Sequence, residues 1–486
     1  MNLGDILVAK GLVTTDDINR ALEHQREHGG RLGSSLAALG VLSEEQVAAV
    51  IGEAPQAPVK IEDTGIEPMF LLQLLMKGMY TDNLETPSQM VGELKLTGTV
   101  VNALLQDGMD RKLIEAVGTI ATGVGSLTEM RHQLTKQGRD FALEALEQSQ
   151  YFGPAPVSLD AFRERIDFQR ISNEWVSRPM LDEAFEGLVV PDRFLSRLGP
   201  AINSGTAMLI YGPAGNGKTT IAEIVGKIFE NVIYIPHCIE VDGQIIKVYD
   251  PIVHKSISGT AGTESGLGVR RGRIDRRWVA CFRPMVVTGG ELTIEMLDLK
   301  FNHLAKFYEA PLHIKALNGT FLIDDFGRQR VTPEEILNRW IVPLNSGVDY
   351  LTLHTGRSVQ IPFDELVIFS TNLHPNELMD PAFQRRIGYK LETVEPPEEV
   401  FRKVFEGMAA KQGLALTEDI FAQVMQGIRA NEAPLAYFQP KFIVEQVLAS
   451  CKFEGVAPQF TPEYVEDALA NLFVKDAEGA MFGVAR

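Results

Sequence analysis

Cysteine is scarce in this sequence. Only Cys238, Cys281 and Cys451 occur among 486 residues, and they are far apart, with no CxxC pair or metal-binding spacing. A chain of this length does not need disulfides, so a reducing compartment is expected. Long apolar runs are also missing: the densest, residues 69–76, ends at Lys77, well short of the roughly 18 residues of a membrane helix. Because the N-terminus acquires charges too early for a signal peptide, the sequence predicts a cytoplasmic protein without membrane insertion.

Basic residues are outnumbered. The chain has 46 Lys and Arg against 64 Asp and Glu, a net charge of −18. This balance favours solubility and disfavours nucleic acid as the main partner. An apolar fraction of 45% and a charged fraction of 23% are those of an ordinary globular protein. The length indicates about three domains.

An internal repeat occupies the first 54 residues. Residues 2–25 and 31–54 share one pattern at a constant offset of 29 residues. Each copy has Leu, Ile or Val at helical spacing and a Gly where a helix would end. The pattern predicts a small all-α domain of two helix pairs over 1–54, followed by a Pro-rich and acidic linker over 55–67.

The middle region, residues 68–150, alternates between helical and extended patterns. Three helices, two short strands and a closing helix are predicted, an order that resembles a winged helix. Its charges do not suit DNA, since residues 61–150 contain seven Lys or Arg against thirteen Asp or Glu, and residues 98–109 contain no Lys or Arg at all. We therefore interpret the region as a protein-interaction or packing element. A Pro-rich linker, 151–164, follows.

A phosphate-binding loop lies in the last and largest region, where strands and helices alternate as in a parallel α/β sheet. The apolar run 207–211 continues into the sequence GPAGNGKT and then into a helical pattern. This strand–loop–helix context is what the G-x4-GK[ST] motif requires. Backbone N–H groups would hold the phosphates of ATP, while Lys218 supplies charge and the Thr219 hydroxyl binds Mg²⁺. The predicted ATP-binding residues are Gly212, Pro213, Ala214, Gly215, Asn216, Gly217, Lys218, Thr219 and Thr220.

A second strand ends in two acidic residues. Residues 319–323 are mostly apolar and lead into Asp324 and Asp325, the arrangement known as Walker B. Asp324 is expected to bind Mg²⁺ through water, and Asp325 to orient the attacking water. The usual second residue is Glu, so the Asp325 carboxylate is expected about 1 Å short of that water. The sequence therefore predicts ATP binding and leaves the rate of hydrolysis open.

Three further polar positions follow. Asn372 ends the strand 366–372 and resembles sensor 1 of AAA+ ATPases, the alternative being a turn-forming Asn. Arg385 and Arg386 resemble the arginine finger, which reaches the γ-phosphate of a neighbouring subunit; the alternative is a solvated helix end. Lys441 lies where the family carries sensor 2, although Lys cannot make the bidentate contact of Arg.

These motifs occur in the order of the AAA+ family over residues 165–475. The resemblance implies an α/β nucleotide-binding core (165–395), an α-helical lid with a C-terminal tail (396–486), ATP and Mg²⁺ as ligands, and a homo-oligomeric ring, usually a hexamer. The hairpin pattern at 348–363 resembles the pre-sensor-1 insertion of the MoxR-like branch. The leading hypothesis is a ring-forming bacterial ATPase that remodels protein partners. The alternatives are a nucleic-acid motor or transcription regulator using the winged helix, and a slow ATP-gated scaffold.

A second hairpin is predicted within 238–253, turning at Asp242 and Gly243. A cluster of five Arg follows within eight residues: Arg270, Arg271, Arg273, Arg276 and Arg277. This cluster is interpreted as a pore-facing or intersubunit surface, as a nucleic-acid contact, or as a solvated loop edge.

The N-terminal repeat resembles the MshEN-type domain of type II secretion and type IV pilus assembly ATPases. That domain binds cyclic di-GMP, and each of its copies opens with Arg and closes with Gln. Here copy one has Asn2 and Gln25, while copy two has Arg31 and Ala54. Losing one charge-assisted contact and one amide implies a weakening of roughly 10²- to 10³-fold. The resemblance therefore implies a link to secretion or pilus-type assembly, with cyclic di-GMP bound weakly or not at all at a degraded site that retains Gln25 and Arg31.

Overall fold

The computed structural model describes residues 8, 13–28, 30–42, 54–122, 127–229, 231–257 and 274–473. Its α-helices are α1 (Thr15–His28), α2 (Leu32–Ala38), α3 (Pro68–Thr81), α4 (Pro87–Leu94), α5 (Gly98–Asp110), α6 (Lys136–Gln148), α7 (Leu159–Phe168), α8 (Arg178–Ala184), α9 (Asp192–Ser204), α10 (Lys218–Lys227), α11 (Leu312–Lys315), α12 (Pro333–Arg339), α13 (Ile341–Ser346), α14 (Pro375–Leu378), α15 (Pro381–Gln384), α16 (Glu398–Lys411), α17 (Glu418–Ala430), α18 (Phe438–Glu454) and α19 (Pro462–Leu472).

The strands are β1 (Gly30–Arg31), β2 (Ile114–Thr122), β3 (Leu127–Leu134), β4 (Val157–Ser158), β5 (Glu174–Trp175), β6 (Met208–Tyr211), β7 (Val232–Pro236), β8 (Cys238–Val241), β9 (Gln244–Lys247), β10 (Trp278–Phe282), β11 (Met285–Thr288), β12 (Lys300–Asn302), β13 (Phe307–Glu309), β14 (Thr320–Ile323), β15 (Val348–Thr352), β16 (Ser358–Pro362), β17 (Leu366–Thr371) and β18 (Tyr389–Glu392). No helix in the described ranges combines the length and the apolarity needed to cross a bilayer.

A parallel five-stranded sheet forms the centre of the largest domain. Its order is β11-β14-β17-β6-β18, and every pairing is parallel. Strands β14 and β17 are buried along their whole length, which explains their continuous apolar sequences. The predicted α/β class with a parallel sheet is confirmed. Because the strands are parallel, the segments that follow β6, β14 and β17 all emerge at one edge of the sheet.

A second sheet, in the order β12-β13-β9-β8-β4, carries the predicted hairpin β8–β9. Its turn residues Asp242 and Gly243 both have left-handed backbones, with φ of 52° and 75°, as a two-residue hairpin loop requires. The other predicted hairpin, β15–β16, is also present. An ion pair of 2.7 Å joins Arg357 to Asp242 between the two hairpin turns.

The segment predicted as a Pro-rich linker, residues 151–164, is partly built into this second sheet. Strand β4 pairs with β8, and α7 begins at Leu159. Two apolar side chains of this segment, Val157 and Phe162, are buried in one core with Ile239 of β8 and Ile246 of β9. The fold of the large domain therefore includes residues before 165, because Val157 and Phe162 pack with side chains of β8 and β9.

The middle region contains α3, α4 and α5, the hairpin β2–β3 and then α6, in the predicted order. The hydroxyl of Thr86 accepts from Gln89 N in a capping box, and Thr97 and Thr135 cap the next two helices. Strand β2 is longer than the sequence predicted, because it extends past the core, with residues 115–120 exposed. The winged-helix assignment stays a prediction.

The segment predicted as a linker over 55–67 is bonded to the large domain. Asp275 N donates to Pro55 O at 2.8 Å, and Gln56 forms a bridge with Ile274. The Arg277 guanidinium donates to Thr64 O at 3.1 Å. Hydrogen bonds of this kind fix the segment rather than leave it flexible.

Arg277 itself is 4% exposed and makes an ion pair with Asp275 at 2.8 Å. It also donates to Pro156 O, so it joins both connecting segments to the large domain. The three surface interpretations of the Arg cluster are therefore wrong for Arg277, because a guanidinium buried in a network cannot face a pore, a nucleic acid or water. Arg276 is exposed. Arg270, Arg271 and Arg273 lie outside the described residues.

The N-terminal unit is docked on the large domain. Strand β1 pairs antiparallel with β5, and α1 and α2 bury an apolar face that includes Ile18 and Leu36. Gln25, predicted to be a remnant of a ligand site, is 4% exposed, and its Nε2 lies 3.5 Å from Asn173 O. Gln25 therefore contacts the large domain, and its part in a ligand site stays a prediction. The Arg31 side chain and residues 43–53, the C-terminal part of the second copy, lie outside the described groups.

Candidate nucleotide-binding site

The loop between β6 and α10 depends on glycine. Gly212, Gly215 and Gly217 have φ of 137°, 76° and 76°, values that side chains disfavour. A Cβ on Gly212 would lie 2.2 Å from Thr393 O, so this position also has no room for one. The loop ends at the N-terminus of α10, where free backbone N–H groups and the helix dipole favour a phosphate.

Lys218 is the first residue of α10 and is only 6% exposed. Its Nζ donates to Gly212 O at 3.0 Å, to Pro213 O at 2.9 Å and to Asn372 Oδ1 at 2.5 Å. Burial lowers the pKa of Lys218, while the charges of Asp325 and Asp324 act in the opposite direction. The structure thus brings together the predicted loop lysine and the predicted strand-end Asn.

Thr219 lies beside the acidic end of β14. Its Oγ1 donates to Asp324 Oδ2 at 2.8 Å. Both atoms are oxygens, the atom type that Mg²⁺ prefers either as a direct ligand or through one of the waters that it retains. The pair therefore fits the predicted Mg²⁺ ion.

Asp325 occupies a turn with a left-handed backbone, φ 48°. Asp and Asn adopt this conformation more readily than other side chains. The turn is held on one side by Asp324 N, which donates to Thr288 O at 2.8 Å, and on the other by Phe326 N, which donates to Ser370 O at 2.7 Å. Asp325 is exposed. Its backbone conformation gives a physical reason for Asp at this position.

The C-terminal helical region contacts the loop through the start of α18. Phe438 N donates to Gly215 O at 3.1 Å, and Tyr437 N to Asn216 Oδ1 at 3.4 Å. The side chain of Lys441, one turn further on, is 67% exposed and is 3.8 Å from Glu445. The structure thus places the start of this helix at the loop, and the sensor-2 role of Lys441 stays a prediction.

Arg385 and Arg386 follow the short helix α15. Arg385 is exposed. Arg386 Nη1 donates to Ala382 O at 3.3 Å, and its guanidinium lies 5.3 Å from the centre of the Phe383 ring. These contacts are local, and a role across a subunit boundary stays a prediction.

Three residues at the site were not found from the sequence. Gln329 contacts the turn around Asp325, Thr371 bonds the same turn from β17, and Phe438 contacts the loop. Thr371 is a polar residue in a fully buried strand, which is a detectable signal. The other two have no characteristic spacing, since their roles depend on elements far apart in the chain.

Comparison with known proteins adds one family match. A family model described as a domain of unknown function (DUF8689) matches residues 397–471, which span helices α16 to α18 and all of α19 except its last residue. No curated protein matches the sequence.

Several solved structures are similar over part of the chain. NtrX from Brucella abortus is 14% identical, with a TM-score of 0.37, over 60% of this chain and 57% of its own, which is less than two thirds of its length. The Holliday junction branch migration motor RuvB from Thermotoga maritima is 15% identical, with a TM-score of 0.32, over 60% of this chain and 73% of its own. Domain III of the T. maritima replication initiation protein DnaA is 13% identical, with a TM-score of 0.33, over 60% and 96%. These values are too low to assign a function.

Proposed function

We propose that this chain binds ATP with Mg²⁺ and hydrolyses it as a ring-forming ATPase of the AAA+ type. The observation that carries the proposal is the convergence of Lys218, Asn372 and Asp324 at the loop after β6. Asp324 and Asn372 follow the neighbouring strands β14 and β17, and Lys218 begins the helix after the adjacent strand β6, so the three side chains are available to one Mg²⁺-bound triphosphate.

Each residue has a role that its position supports. Lys218 exchanges its bonds to the loop carbonyls for the β- and γ-phosphates. Thr219 and Asp324 hold Mg²⁺, which when bound neutralises phosphate charge. Asn372 is assigned to contact the attacking water, and Asp325 to orient it.

The test is steady-state ATP turnover of the full chain. Lys218→Ala should abolish nucleotide binding or turnover while leaving the thermal midpoint unchanged. Lys227→Ala is the matched control, since it removes an exposed Lys at the other end of the same helix. Wild-type turnover in Lys218→Ala would contradict the assignment of the nucleotide-binding site to this loop.

We infer that the ATPase acts on a protein partner. Helix α5 of the middle region has no Lys or Arg, and the hairpin β2–β3 exposes Val117, Ile120 and Met130 at 42%, 41% and 45%. An apolar hairpin suits a protein surface better than a phosphate backbone. A labelled DNA duplex titrated at low and high salt tests this. Salt-dependent binding would favour the nucleic-acid alternative.

A further inference from the structure

The side chain of Gln329 braces one side of the turn that follows β14. Its Nε2 donates to Asp324 O at 2.9 Å, with longer contacts of 3.3 Å to Asp325 O and to Gly289 O. Its Oε1 accepts from Gly327 N at 2.8 Å. A single amide therefore bonds the start and the end of the turn, and joins it to the loop after the edge strand β11.

The opposite side of the turn is bonded to β17. Thr371 Oγ1 donates to Phe326 O at 2.6 Å, and Thr371 is only 1% exposed. The next residue is Asn372, which accepts from Lys218. The acidic turn thus has a fixed attachment to the strand that carries the contact to the loop lysine, and Gln329 supplies the attachment on its other side.

The conformation of Asp325 needs such a brace. A left-handed backbone is less favourable than a right-handed one for an L-residue, Asp included, so an unbraced turn would relax from it. Relaxation would move a carboxylate that is already one methylene shorter than Glu, and a misplacement of about 1 Å can cost up to about 100-fold in rate. Bracing the turn is therefore more important for Asp than for Glu, because the shorter side chain cannot compensate for a displaced backbone.

We propose that Gln329 is a positioning residue for hydrolysis, which holds Asp325 in the left-handed turn from which its carboxylate reaches the water. The role deepens the proposed ATPase function and depends on it. All the Gln329 hydrogen bonds given above are to backbone groups of the turn and of Gly289. Gln329 therefore affects the rate of the chemical step through Asp325, whereas nucleotide binding depends on the loop after β6.

The experiment compares Gln329→Ala and Gln329→Glu with the wild-type chain and with Gln133→Ala. The Gln133 side chain donates to Glu115 in an exposed pair on the β2–β3 hairpin, and Gln133→Ala serves as the control. Gln329→Ala should lower kcat by about tenfold or more, with the Kd of a non-hydrolysable ATP analogue within about twofold and the thermal midpoint unchanged. Gln329→Glu should lose as much, because it keeps the acceptor for Gly327 N but loses both N–H donors.

A second measurement separates positioning from a general structural role. In single-turnover assays on an Asp325→Asn background, Gln329→Ala should cause no further loss, because the group it positions is already disabled. An unchanged kcat in Gln329→Ala, a further tenfold loss on the Asp325→Asn background, or an equal weakening of analogue binding would each overturn the proposal. Absence of turnover in the wild-type chain would instead overturn the proposed ATPase, and this role with it.

Discussion

The Nζ of Lys218 lies 2.5 Å from Oδ1 of Asn372, although the two residues are 154 positions apart in the sequence. The contact crosses from the loop after β6 to the end of the neighbouring strand β17. It gives the buried ammonium a third acceptor besides two loop carbonyls. Arrival of a phosphate must therefore rearrange Lys218 and Asn372 together.

Removing Asn372 should affect the rate of hydrolysis more than the binding of nucleotide. Asn372→Ala leaves Lys218 its two carbonyl acceptors and its charge, so analogue binding should weaken by no more than about threefold. We expect kcat to fall by at least about tenfold, as for loss of one polar contact to a transition state. Asn376→Ala, an exposed Asn on α14 that bonds Gln384, is the control. Equal losses in the two variants would contradict a role at the site.

The Arg pair is expected to act across a subunit boundary. Turnover per chain should then rise with protein concentration as the ring assembles. A mixture of Arg385→Ala/Arg386→Ala with Lys218→Ala should recover part of the turnover that each lacks alone, since each supplies the half-site that the other has lost. Turnover independent of concentration, with no recovery on mixing, would support the solvated helix-end alternative.

Gly212→Ala should damage the nucleotide loop. The added Cβ meets a backbone oxygen, Thr393 O, at 2.2 Å, and the backbone at φ 137° is strained for any side chain. We expect a loss of stability of about 2 kcal/mol or more and at least about tenfold weaker analogue binding. Gly407→Ala on helix α16, where a Cβ meets nothing within 4 Å, should be neutral or slightly stabilising. Thermal unfolding and analogue titration of both variants check this.

Arg277→Ala should be strongly destabilising, whereas Arg276→Ala should not. Removing Arg277 leaves Asp275, itself 3% exposed, as a buried carboxylate without its cation. Breaking such a pair typically costs about 3–5 kcal/mol, while an exposed substitution stays within about 0.5 kcal/mol. Chemical denaturation of the two variants side by side measures the difference. Similar midpoints would show that the connecting segments are held by other contacts.

Cyclic di-GMP should bind weakly or not at all. The repeat lacks two of the polar ends that hold this ligand, and Gln25 is buried against the large domain. Calorimetry on the full chain tests this, with Gln25→Ala as a second sample. Sub-micromolar binding by the wild-type chain would overturn the prediction and would require the N-terminal unit to separate from the segment around Asn173.

The sequence determined the features that depend on short stretches of chain. The glycine loop, the apolar strands that end in Asp324 and Asn372, and the two-residue turn at Asp242 follow from local backbone preferences and side-chain chemistry, which a linear pattern records. The tertiary structure decided which groups meet. Nothing near Arg277 in the sequence distinguishes it from its exposed neighbour Arg276, and the spacing of Gln329 does not reveal a bond to Gly289. Burial and long-range hydrogen bonding depend on how the sheets and connecting segments pack, and packing joins residues whose separation in the chain carries no signal.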